Sequence, residues 1–387
     1  VLTTTSKVLA SVGALAVTLV GCAGGEPPQA AHDPIADPVV VTYDGGLYVL
    51  DGNTLQVGSD LPLEGFLRVN PAGDDAHVLV TTDTGFRLLD ASAGQLTDTT
   101  FMADEPGHVV AHGEHTVLFA DGSGQITVLD PHSIAAATPR IRTLTAPQAH
   151  HGVAVVLDDG SWVRSEGLHD ERNGAVAFDS SDREIARSNE CPGLHGETFA
   201  GVATVVFGCE NGALVFSDGA FSKIAAPATY GRVGTLRGHE DSPSILTDYK
   251  VDPDAELERP NQFALIDTVG NQLRLVNLPE SVSYSFRSLA RGPHAEALIL
   301  ATDGRLHVVD PVSGNTVRTI AVVEPWTEPD DWEQPRPGVF ARGHDVYVTD
   351  PATRQVHLVD VESGEVTASV TLDQAPNELS GVTGHAH

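Results

Sequence analysis

The sequence predicts an all-β chain folded as a β-propeller of four-stranded blades, and three observations carry that prediction. Short apolar runs rich in Val, Ile, Leu and Thr recur along the chain, each bounded by Gly, Asp, Asn or Pro. They group in fours at a spacing of roughly 35 to 55 residues, the period of a propeller blade. Beyond the first 38 residues no segment keeps an apolar period of 3.6 residues for three turns, so helices between the strands are not expected.

The repeat is clearest where two successive strands each end in Asp. His77–Asp83 is followed by Phe86–Asp90, Thr116–Gly122 by Ile126–Asp130, Ala297–Gly304 by Leu306–Asp310, and Val346–Asp350 by Val356–Asp360. Units begin near Phe66, Gly107, Pro147, Gly193, Tyr230, Tyr284 and Gly338. Val39–Gly65 holds three strands and Asn377–His387 one more. Joining that last strand to the first three completes a unit and closes the ring, leaving no open sheet edge. The count is then eight blades, with seven as the alternative because Val202–Tyr230 is a lean unit.

Ahead of the repeats, Lys7 precedes an apolar stretch from Val8 to Val20, followed by Gly21 and Cys22. The stretch is shorter than the roughly 20 residues a membrane-spanning helix needs, and it ends in small residues before a cysteine. Residues 1–21 therefore read as a lipoprotein signal peptide and Cys22 as the lipidated residue. Residues 22–38 read as a flexible tether and 39–387 as a single propeller domain. The expected location is extracytoplasmic, on the outer face of a bacterial membrane, with the lipid as the only membrane contact.

The formal net charge is −31, from 22 basic and 53 acidic residues. Such a surface repels nucleic acid and anionic lipid and concentrates cations. With Cys22 assigned to lipid, Cys191 and Cys209 remain as an even pair in an oxidising compartment, which reads as a disulfide. Two thiolate ligands for a metal are the alternative.

Seventeen histidines are present, and most suit turns or strand surfaces. One group recurs at a fixed place in the repeat, the start of the innermost strand: His108 after Pro106-Gly107, His150 three residues after Pro147, and His195 three after Pro192. The separations of 42 and 45 residues each equal one blade. Three imidazoles on neighbouring inner strands can therefore share an ion. Zinc suits them, since it takes neutral imidazole nitrogen in a tetrahedron and leaves a fourth position for a carboxylate, water or incoming ligand. His150 and His151 are adjacent, so in extended chain they face opposite ways. His150 is the first choice as ligand, with His151 as the true ligand or as a supporting group otherwise. His385 and His387 form a possible secondary metal site.

At these residues the chain resembles a known family. The block His150-His-Gly-Val-Ala-Val155 and the block Glu190-Cys-Pro-Gly-Leu-His-Gly196, with Val206-Phe-Gly-Cys-Glu-Asn-Gly212, are its most specific marks. Asp303–His307, Arg336-Pro337, Val348–Pro351 and Val356–Asp360 add to them. Together they are similar to the AztD family of bacterial zinc metallochaperones, over residues 39 to the C-terminus. The resemblance implies a propeller, zinc held by His108, His150 or His151, and His195, a disulfide between Cys191 and Cys209, and delivery of zinc to the solute-binding protein of an ABC zinc importer. Members of that family often carry a His-rich N-terminal tail, whereas only His32 lies between Cys22 and the first strand here.

The expected function is thus a monomeric, non-enzymatic zinc carrier. A zinc-dependent propeller hydrolase is the rival from another class, since zinc-bound water is a competent nucleophile. No Gly-x-Ser-x-Gly, His-Glu-x-x-His or phosphate-loop motif accompanies the histidines, and Glu197 is the one nearby carboxylate. A protein-binding scaffold using a loop such as Glu324–Pro337 is the third reading.

Overall fold

Strands account for nearly all the regular structure. A computed structural model describes residues 1–3, 33–168 and 171–383, and among these the one helical element is a 3-10 turn at Pro131–Ser133. No helix among the described residues is long and apolar enough to cross a membrane. The chain divides into a short unit, residues 1–33, and the unit 34–387, which carries every strand among the described residues.

Each group of four successive strands forms an antiparallel sheet in chain order. The innermost strands of seven such groups are Arg68–Pro71, Pro106–His112, Ala154–Val156, His195–Ala200, Leu236–His239, Leu289–Arg291 and Val339–Arg342. In the remaining sheet, Leu379–Gly381 pairs antiparallel with Val39–Tyr43, which pairs in turn with Gly46–Leu50 and then Val57–Pro62. A single parallel bridge, Ala200 to His239, joins the groups beginning at His195 and Leu236 into one larger sheet. That bridge also shows two successive innermost strands running the same way.

Burial explains why these segments are strands of different character. The middle strands are buried on both faces, as in Gly46–Leu50 and the centre of His77–Thr82, and read as unbroken apolar runs. Fourth strands such as Val57–Pro62 and Ile141–Thr145 alternate between exposed and half-buried. An unbroken apolar strand needs a sheet on each side, and the packing supplies them. Eight apolar clusters lie between successive sheets: one joins Val78 and Val80 to Val49, another joins Phe119 to Trp162. A further cluster packs Tyr347, Val356 and Leu358 of the last sheet against Val39, Val41 and Leu50 of the first.

Candidate metal centre

Three innermost strands of consecutive sheets bring their first residues together. His108 is the third residue of Pro106–His112, His195 is the first of His195–Ala200, and His151 stands in a bend just before Ala154–Val156. Ring centroids are 5.1 Å apart for His108 and His151, 5.2 Å for His151 and His195, and 5.6 Å for His108 and His195. One nitrogen from each lies within 4.8 Å of the other two, the single such grouping of ligating side chains among the described residues. Tetrahedral zinc with bonds of about 2.0–2.1 Å needs its nitrogens about 3.4 Å apart. Small ring rotations close that difference.

Local backbone irregularities aim the rings. The ladder of Pro106–His112 with its neighbour shifts register between Pro106 and Val109, and that of His195–Ala200 shifts between His195 and Glu197. Both are β-bulges, which re-aim a side chain at a sheet rim. Gly196 at the second bulge has φ +73°, and a Cβ there would meet the Gly234 carbonyl oxygen at 2.3 Å, so only glycine fits. Gly107 is required for another reason: Asp121 packs over it so closely that an added Cβ would displace the carboxylate. The Cys191–Cys209 disulfide, fully buried, ties the loop before His195 to the end of the next strand. The pair is therefore a cross-link, not a set of thiolate ligands.

Partners of the second ring nitrogens complete the arrangement. His151 Nδ1 lies 2.5 Å from Asp121 Oδ2, and His195 Nδ1 lies 3.1 Å from the Gly234 carbonyl oxygen. An N–H donated to these acceptors fixes the tautomer and leaves Nε2 with its lone pair free, the pattern of zinc-bound histidines backed by carboxylate or carbonyl. His108 Nδ1 is 3.2 Å from Glu197 Oε2, a buried oxygen that makes no hydrogen bond. Burial holds the His195 imidazole well below the usual histidine range, and the fields of His108, His151 and Arg232 act in the same direction. That shift favours the neutral ring, the form that ligates a metal.

Of the two adjacent histidines, the structure brings His151, the alternative to His150, beside His108 and His195. His150 is only 2 % exposed and turns the other way, with Nδ1 2.9 Å from the Gln148 carbonyl oxygen and Nε2 2.8 Å from Ser165 Oγ. Both ring nitrogens are thus engaged. Its ring borders a cavity of about 490 Å3 lined also by Arg164, Glu166 and Asn173. The two rings turn opposite ways, and the neighbours that hold them so, Asp121 for His151 and Ser165 for His150, come from elsewhere in the chain. Asp121 was legible only as a turn residue in Thr116–Gly122, and the Gly234 carbonyl left no side-chain signal at all. Cys22, His385 and His387 lie outside the described residues.

No protein-family model matches the chain. The zinc chaperone AztD of Citrobacter koseri is 24 % identical over 306 residues, covering 76 % of this chain and 70 % of that protein. The structure of apo AztD from the same organism superposes with a TM-score of 0.76 at 20 % identity, over 90 % of this chain and 98 % of the other. The dihydro-heme d1 dehydrogenase NirN, in complex with DHE, shares the fold more loosely, with a TM-score of 0.61 at 14 % identity over 93 % of this chain and 77 % of that one. In sequence and in fold alike, the chain resembles the AztD zinc chaperones.

Proposed function

We propose that this protein is an extracytoplasmic zinc metallochaperone that holds one zinc ion on His108, His151 and His195 and surrenders it to the solute-binding protein of an ABC zinc importer. The observation that carries the reading is the convergence of three ligating nitrogens within 4.8 Å, two of them on rings whose Nδ1 already has an acceptor. The name of the relative, a zinc chaperone, supports the choice of ion and role.

The scaffold is an eight-bladed ring closed by Leu379–Gly381 on Val39–Tyr43. Eight inter-sheet apolar clusters, including the one between the last sheet and the first, support that count. Residues 1–21 act as the signal, Cys22 carries lipid, 22–38 form the tether, and 39–387 form one domain that works as a monomer.

Three imidazoles leave zinc a fourth position. Glu197 is suited to fill it or to hold His108, because its buried Oε2 otherwise has no partner. An ion held by three neutral nitrogens and one replaceable ligand can be passed on when a docked partner offers its own ligand first. The role is carriage: the two carboxylates against the rings, Asp121 on His151 and Glu197 on His108, are placed to hold the imidazoles.

The test loads the mature protein with one zinc and mixes it with an apo solute-binding protein in the presence of a chelator that captures free ion. Transfer faster than release to the chelator alone supports direct delivery. Transfer no faster than spontaneous release, or a protein that binds no zinc, refutes it.

A further inference from the structure

A second cluster of ligating side chains lies at the other end of the innermost strands. His108, His151 and His195 stand where those strands begin, whereas His294 and His344 stand in the hairpin turns where two of them end, after Leu289–Arg291 and Val339–Arg342. Glu362, from the turn between Gln355–Asp360 and Glu365–Thr371, reaches both. Its Oε1 is 2.9 Å from His294 Nε2 and 3.3 Å from His344 Nδ1. The two rings are 5.9 Å apart between centroids, and the nitrogens facing Glu362 stand further apart than the 4.8 Å that bounds the triad, so the exposed rings must turn inward to grip an ion.

We propose that His294, His344 and Glu362 form a second, weaker and freely exchanging site for zinc. Two imidazoles and a carboxylate are a donor set that zinc accepts, with water completing the tetrahedron. The turns are braced while the side chains stay free. Asp360 accepts from the Glu362 and Ser363 amides, and Glu296 Oε2 accepts from the His294 amide at 2.9 Å. The three side chains are 66 %, 63 % and 54 % exposed, so an ion reaches them without any opening of the fold. Exposure to bulk water also sets the affinity. Open carboxylate and imidazole groups lose more freedom on binding than the half-buried triad, so the ion is held less tightly.

An ordinary surface ion pair between histidine and glutamate is the competing account, and zinc counting separates the two. Equilibrium dialysis of the mature protein against graded zinc, with 10 mM-scale magnesium present to saturate hard oxygen sites, is expected to show a weak zinc beyond the tight one. The His294→Ala/His344→Ala variant loses that weak zinc, its affinity falling at least tenfold, while melting at the wild-type temperature and keeping the tight ion. Glu362→Gln, which preserves shape, weakens it severalfold. His195→Ala loses the tight ion and retains the weak one, so the two sites fail independently. The proposal is overturned if the double variant binds weak zinc as the wild type does. It is equally overturned if weak binding disappears with magnesium or only with His385→Ala/His387→Ala.

Discussion

Replacing His150 and His151 one at a time asks the sharpest question of the metal centre, because the two residues are adjacent and chemically identical. In His151→Ala the triad loses a nitrogen. A four-ligand zinc site gains about 10–16 kcal/mol in total, so one ligand in four accounts for about 3 kcal/mol, or roughly a 100-fold loss of affinity. His151 is half-exposed, and its removal costs the fold little. His150→Ala does the reverse. It strips partners from buried Ser165 and from the Gln148 carbonyl and leaves a hole, for about 2–4 kcal/mol of lost stability. Zinc affinity stays within about threefold. Competition titration against a chelator reads the first effect, and thermal melting of the apo proteins reads the second. A His150→Ala variant that loses zinc, beside a His151→Ala variant that keeps it, would refute the assignment of the two rings.

Other consequences follow from neighbouring groups. Asp121→Asn keeps the shape beside His151 but weakens the acceptor, and is expected to lower zinc affinity by about 10–100-fold; an unchanged titration would show that Asp121 does not orient the ring. Burial lowers the pKa of His112, His150, His239 and His357. Below about pH 6.5 the unfolded chain takes up protons that these folded imidazoles refuse, so stability falls as pH drops from there towards their folded values. His77 and His294 run the other way, raised by the hydrogen bonds and charges of Asp74 and of Glu362 with Glu296, but they are two groups against these four together with His195, which burial lowers as well. The apo protein should melt progressively lower between pH 7 and pH 5, and a flat profile would contradict the burial of these rings. Reduction of Cys191–Cys209, 18 residues apart, should cost about 3 kcal/mol and loosen zinc as well, since Leu194 and His195 follow directly. A reduced protein with unaltered melting and zinc affinity would remove the disulfide from the account.

Much of the strand pattern was readable because burial on both faces forces a plain chemical signature. Val78, Leu79 and Val80, or Val346, Tyr347 and Val348, sit between two sheets and must be apolar without interruption. The Asp and Gly that end such runs mark turns by their conformational demands. The placement of His108 and His195 was equally legible, since proline and glycine fix the approach to each innermost strand at the same point of the repeat. Three things were not legible. Residue 151 sits in a bend, not a strand, so alternation said that one ring of the pair faces inward without saying which. Asp121, Glu197 and Gly234 approach the rings from strands or loops far away in sequence. The His294, His344 and Glu362 grouping draws on turns from two sheets, each of which reads alone as an unremarkable polar turn.

X-ray absorption at the zinc edge, on protein loaded with one equivalent, tests the central claim most directly. Three imidazole nitrogens and one oxygen at about 2.0–2.1 Å, reduced to two imidazoles in His151→Ala and unchanged in His150→Ala, is the spectrum the structure predicts. A shell dominated by oxygen, or one that keeps all three imidazoles after His151 is removed, would contradict it.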